Sequence, residues 1–409
     1  MPPLITNDAV VLGLLCAILG LVFWTEHHPH RFWRGFYRYV PALLLCYFIP
    51  ALFNSAGVID GEHSRLYFVA SRYLLPATLI LLTLSMDIPA IVRLGPKALI
   101  MFFTGTAGVL IGGPLALLIW GFISPDAVGG DMWRAFTAIA GSWIGGGANQ
   151  AAMKEVFQID NDIFGTMVAV DVIVANLWMA FLLYLAGRSE ELDRRRGADT
   201  TALVALRVKV EQFERQNARI AKLPDLVFIA AIGFGFTGLS HALAGPLVAF
   251  FKAQGRWAEQ VSLTSEFFWI VVLATTFGLL LSLTRARRLE GAGASKVGSL
   301  LLYVLVASIG MQMNLGAILT QPVLFGVGAT WILIHGALLL VVMHLIRAPI
   351  FYMAVGSQAN IGGAASAPVV ASAFHPALAP VGVLLAVLGY ALGTYGGWLC
   401  GQMMRMVAT

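Results

Sequence analysis

Charge is what this sequence has least of. Asp, Glu, Lys and Arg make up 11% of its 409 residues, while 59% are apolar. A soluble domain carries roughly 25% charged residues. So few cannot cover a water-facing surface, whereas a lipid-facing surface does not need them. A soluble globular protein is therefore excluded. Cysteine is scarce too: Cys16, Cys46 and Cys400 lie in apolar runs with no metal or disulfide spacing. They read as buried thiols acting as small hydrophobes. The catalytic signatures HExxH and GxSxG are missing, and the GGG at 145–147 has no Lys-Ser/Thr after it, so it is not a P-loop. No enzyme is expected, and no cofactor. The net charge of +5 sits in short loops and not on a patch, which speaks against nucleic acid. The N-terminus lacks a basic n-region, so the first apolar run is expected to be a span and not a cleaved signal peptide.

What the chain does have is long apolar runs. A spanning helix needs roughly 20 such residues. Runs of that order fall at 9–25, 40–58, 67–86, 97–122, 162–187, 226–251, 266–284, 298–319, 322–346 and 380–404. Two more, 135–159 and 349–374, are interrupted by glycine and small polar residues. The one long polar stretch, 188–224, carries RSEELDRRR and an amphipathic pattern (Leu203, Leu206, Val210, Phe213). It reads as a solvent-side linker with a surface helix.

Three segments recur in order. LTLSMDIPAI (82–91) resembles IGMQMNLGAI (309–318), GSWIGGGAN (141–149) resembles GSQANIGGA (356–364), and 170–187 resembles 381–398. An internal duplication follows: residues 1–187 and 225–409 as two repeats around the 188–224 linker. Charge then suggests how they lie. If both interrupted runs dip into the membrane and return, each repeat makes five crossings and the second is inverted. With the N- and C-termini outside, nineteen of the 26 Lys and Arg face inside, including the linker and Arg285, Arg287 and Arg288. Were those runs full crossings, this bias would largely vanish. The expected fold is an all-α membrane protein of two inverted-topology repeats, each with five transmembrane helices and one re-entrant segment.

The interrupted runs are the candidate site. Irregular backbone at membrane depth is tolerated where it is buried in protein or lines a cavity. Gly145, Gly146 and Gly147 centre the first, flanked by Ser142, Asn149 and Gln150; Gly362 and Gly363 centre the second, flanked by Ser357, Gln358, Asn360 and Ser366. Glycine lets backbone approach a ligand, and the helix that starts after each break offers its positive end to an anion. Paired breaks in inverted halves point to a transporter's binding site; tight helix packing is the alternative. Asp171 lies mid-run with Asn176 beyond it. An intramembrane acid is a candidate to ligate Na⁺ or carry a proton, the alternative being an acid that reaches the interface. Asp87 and its repeat partner Asn314 are candidates to line the same cavity or to cap an interface, with Gln312 and Thr394 weaker. His241, His335 and His344 share no ligand spacing, and Arg72 reads as snorkelling to the interface.

GSWIGGGANQ and SQANIGGAASAP, in two inverted halves, resemble the domain-of-unknown-function 819 membrane family across essentially the whole chain, and more distantly the sodium/glutamate symporter and 2-hydroxycarboxylate transporter families. The resemblance implies a homodimer in which a mobile domain carries the solute past a static scaffold by an elevator motion. It also implies that Gly145 to Gly147, Asn149, Asn360, Gly362 and Gly363 surround the substrate. The expected function is a secondary transporter, coupled to Na⁺ or H⁺, for a small anionic solute such as an amino acid, dicarboxylate or short peptide, in a bacterial inner membrane. A channel or passive facilitator of the same architecture and a non-transporting membrane receptor are the alternatives.

Overall fold

Apolar runs become helices in a membrane because each backbone N–H and C=O must pair within its own segment. The computed structural model describes residues 3–37, 40, 42–61, 63–198, 221–255, 257–258, 263–312, 321–375 and 378–408, and its principal elements are helical. They are α1 (Asp8–Glu26), α2 (Ala42–Ser55), α3 (Leu66–Leu84), α4 (Pro96–Ile123), α5 (Met132–Val156), α6 (Asn161–Ala186), α7 (Leu223–Lys252), α8 (Glu266–Ser282), α9 (Ala294–Gly310), α10 (Val323–Leu345), α11 (Ile350–Ile361), α12 (Gly363–Phe374) and α13 (Ala379–Val407). Starts follow local chemistry. Asn7 accepts from the amides of Ala9 and Val10 ahead of α1, Asp160 from those of Asp162 and Ile163 ahead of α6, and Ser265 from Phe268 ahead of α8.

Among the described residues, seven helices are long and apolar enough to cross a membrane, or nine if each sharply bent pair counts as one span. The run at 298–319 yields the shorter apolar α9. Outward-facing Phe122, Leu177, Leu333 and Leu345 are exposed, a surface suited to lipid and not to water. This is a multi-pass membrane protein. Cys46 and Cys400 are buried, but Cys16 is exposed, which corrects the expectation of three buried thiols: it lies on the outer face of α1, where lipid serves an apolar thiol as well as a core does.

The helices pack as two groups. In one, α3 lies against α7, α8 and α9, and α2 bridges α1 and α9. In the other, α4 packs on α10, α11 and α13, while α13 lies along α5 and α12. Contacts of α13 with α3 and α8 join them.

Both interrupted runs fold back on themselves. Trp133 and Phe157 touch edge to face with ring centroids 5.7 Å apart, where an unbroken helix would separate them by roughly 36 Å. Phe351 and Phe374 meet at 5.4 Å. The α5 hairpin turns at Gly145 and Gly146, the only non-helical positions within that helix; the second turns at Gly362–Gly363, between α11 and α12. Cysteines placed at 133 and 157 are therefore expected to be bridged by a short bis-maleimide, seen as altered mobility of a protein cut once between them; a straight helix would leave them unlinked.

Part of the polar stretch is also docked. The short helix Ser189–Arg196 places buried Asp193 on the amide of Ile350 at 3.0 Å, and Arg196 pairs with Asp193 at 2.7 Å. It thus caps the start of α11. The segment with Leu203, Leu206, Val210 and Phe213 lies outside the described residues.

Candidate functional site

Three successive glycines make the first turn possible. Gly146 has φ 73° and ψ −174°, a region that residues with a Cβ essentially do not enter. Gly363, at the second turn, has φ 57°. The turns meet: a Cβ on Gly363 would lie 3.8 Å from the Gly146 Cα, and the Tyr390 ring of α13 borders both. The second leg of each hairpin therefore begins at one shared place. Beneath them α13 is bare of side chain where the first hairpin crosses it. A Cβ on Gly393 would come within 2.5 Å of the Gly145 Cα, and one on Gly389 within 2.7 Å of the Ile144 carbonyl.

The polar side chains near the turns brace the hairpins. Asp171 of α6 is 6% exposed and accepts three hydrogen bonds: from Ser142 Oγ (2.6 Å), Trp143 Nε1 (2.6 Å) and Gln150 Nε2 (2.8 Å). Ser142 and Trp143 stand on one leg and Gln150 on the other, so one carboxylate ties both legs to α6. Hydrogen bonds to a charged group contribute about 1.5–3 kcal/mol each. Among the described residues, no group of three or more His, Cys, Asp or Glu is placed to hold a metal ion.

Asn149 and Asn360 repeat one constellation. Asn149 Nδ2 donates to the carbonyls of Gly145 (2.8 Å) and Tyr390 (3.2 Å), and its Oδ1 accepts from Thr394 Oγ1 (2.7 Å). Asn360 Nδ2 donates to the carbonyls of Gly356 (2.9 Å) and Phe102 (3.0 Å), and its Oδ1 accepts from Thr106 Oγ1 (2.8 Å). In each case the amide bonds back to a glycine one turn earlier. It also bonds to a carbonyl and a threonine one turn apart on a neighbouring helix. Thr394 lies 2.9 Å from Thr275 of α8, carrying the first constellation to the other helix group.

Ser357 belongs to a buried chain whose direction is set by its ends. An indole N–H only donates and a carbonyl only accepts. Trp178 Nε1 therefore donates to Ser357 Oγ (2.8 Å), Ser357 donates to His335 Nε2 (2.8 Å), and His335 Nδ1 donates to the Gly105 carbonyl (3.0 Å). His335 is a satisfied core histidine. Gln358 Nε2 donates to Ser366 Oγ across the second turn (2.7 Å), while its buried Oε1 has no partner among the described residues.

The structure thus gathers Ser142, Gln150 and Asp171 into one cluster, Gln358 and Ser366 into another, and sets Asn149 and Asn360 in matched braces. It does not bring the other cation candidates to Asp171. Asn176 Nδ2 bonds back to the Val172 carbonyl of its own helix (2.7 Å), and Asp87 pairs with Arg287 at 2.7 Å. Asn314 lies outside the described residues. Arg72 does not snorkel freely: it lies 3.5 Å from Glu155 and over the Phe267 ring at 4.2 Å. Sequence reading missed Trp143, Trp178, Thr106 and Tyr390. A lone hydroxyl or indole in an apolar run gives no sign of which distant carbonyl or acid it meets; for Trp143 the one clue was its place beside Ser142.

Comparison with known proteins agrees that the chain is a membrane protein. Residues 13–407 match the family described as Protein of unknown function (DUF819). The chain is 25% identical over 366 residues to the Uncharacterized membrane protein YjcL of Bacillus subtilis (strain 168), covering 86% of each chain.

Proposed function

The chain belongs to the DUF819 family, and from that membership and the paired hairpins we propose that it is a secondary transporter of a small anionic solute, coupled to Na⁺ or H⁺. One observation carries the reading: two glycine turns, from segments over two hundred residues apart, meet at Gly146 and Gly363. Each begins a helix, so two positive helix ends are brought to one place, an arrangement suited to a carboxylate or other anion.

The braces explain why backbone does the binding. In a water-poor interior an unpaired polar group costs about 1–3 kcal/mol. Asn149, Asn360, Asp171 and Ser357 are spent holding the turns open, leaving main-chain groups at Gly145–Gly147 and Gly362–Gly363 for the ligand. Gln358 Oε1, buried and without a partner among the described residues, adds an acceptor for a cation or an ammonium beside the second turn. Asp171 supplies fixed negative charge close to the first turn and is the residue to which coupling is assigned.

The two helix groups suit an elevator. The group holding both hairpins (α4–α6 and α10–α13) is the mobile body, and α1–α3 with α7–α9 is the scaffold, which would also form the homodimer contact. Counting each hairpin as one element, three consecutive elements of each half enter each body, which suits two inverted repeats at 1–187 and 225–409. The topology that follows has both termini outside and the 188–224 segment inside a bacterial inner membrane.

The test is uptake of labelled amino acids, dicarboxylates and short peptides into proteoliposomes under imposed Na⁺ or H⁺ gradients. Accumulation that follows the gradient is expected. Flux indifferent to both gradients would make the protein a facilitator, and binding without flux a receptor.

A further inference from the structure

A half-open cavity of about 840 Å³ lies away from the hairpin turns, between α3, α7 and the start of α8 on one side and the ends of the α5 hairpin on the other. Its wall is built from both helix groups. Arg72 sits on a π-helical turn of α3, Ala70–Leu74. Such bulges recur at functional sites, and here the Arg72 carbonyl accepts a hydrogen bond from His241 Nε2 of α7 at 2.9 Å. Arg134, from the first leg of α5, and Glu266, from the first turn of α8, face the same space, and Thr264, two residues before Glu266, lines it too.

The charges around this cavity are mixed and loosely matched. Arg72 approaches Glu155 only to 3.5 Å and keeps 31% of its side chain exposed. Arg134 pairs with Asp131 at 3.1 Å, at a side-chain exposure of 43%. Glu266 is exposed and within coulombic reach of Arg72. Lys154, behind Glu155 at 3.7 Å, is buried and donates to Tyr67. Guanidinium forks match carboxylates with two parallel hydrogen bonds. A second carboxylate in the same cavity would face Glu266, and the other guanidinium there, Arg134, is already paired with Asp131. An ammonium would be welcomed there.

We propose that this cavity is a second binding site, which takes a zwitterionic solute, an amino acid or short peptide, with its carboxylate on Arg72 and its ammonium on Glu266. The inference rests on the transporter reading and narrows it: dicarboxylates are disfavoured. Because Arg72 belongs to one helix group and Glu155 to the other, a ligand that draws Arg72 away loosens an ion pair between the two bodies.

Thr264→Cys, in a chain whose Cys16, Cys46 and Cys400 are replaced by alanine, reports on the site through its rate of modification by neutral N-ethylmaleimide. L-alanyl-L-alanine or L-alanine is expected to slow the reaction about tenfold at a concentration about ten times its dissociation constant, with succinate and acetate far weaker. Arg72→Gln abolishes the protection. Exposed Glu266 tolerates change without loss of fold, and Glu266→Gln lets succinate protect as well as the dipeptide. Protection by succinate equal to that by dialanine in the parent protein, or no protection by any of the four probes, overturns the proposal, as does protection unchanged by Arg72→Gln. Because the readout is binding, a protein that shows this protection but no flux would retain the site and lose only the transport reading.

Discussion

Gly146→Ala abolishes solute uptake, whereas Gly147→Ala, one residue on, leaves most of it. The two glycines are indistinguishable in the GGG motif, yet the backbone separates them. Gly146 holds φ 73° with ψ near 180°, a conformation that costs a residue with a Cβ on the order of 1–3 kcal/mol. The added methyl would also press on the Tyr390 ring at 3.3 Å, while at Gly147 it meets nothing nearer than Leu43 at 3.8 Å. The strain at Gly146 falls on the turn itself. It can be relieved only by rotating the peptides that face Gly363. Uptake should fall to background in Gly146→Ala at normal expression and near-normal thermal stability. Equal activity of the two variants would show that the turn geometry does not matter to function.

Asp171→Ala destabilises the protein strongly, by about 3–9 kcal/mol if each of three stranded donors costs about 1–3. Ser142, Trp143 and Gln150 all aim at that carboxylate. Detergent-solubilised Asp171→Ala should unfold at a clearly lower temperature than the parent, with Asp171→Asn in between, because the amide keeps one acceptor oxygen and the side chain's volume. The conservative variant separates bracing from coupling. If the charge serves the cation, Asp171→Asn folds but moves solute without regard to the gradient. If Asp171 only braces, its uptake falls in step with its stability and stays gradient-dependent.

Much of the architecture was legible because lipid imposes a crude, local rule. Runs of about twenty apolar residues became helices close to where hydropathy placed them, and the two runs that failed the rule, around Gly145–Gly147 and Gly362–Gly363, fold back at those glycines. The candidate site was legible only as a neighbourhood. Asn149, Gln150, Ser357 and Asn360 were marked as ligand-facing because they flank the breaks. Most of them instead hold the breaks in shape.

Composition and spacing alone marked the solvent, the helical runs and the positions of the breaks, since those depend on how twenty or so adjacent residues partition between water and hydrocarbon. Only the tertiary structure decided which side chains are spent and which remain. A buried polar group must be paired by whatever lies beside it in space, and for Asn149 that is Thr394, for Asn360 Thr106. Neither partner is within two hundred residues along the chain, so no local pattern could have named it.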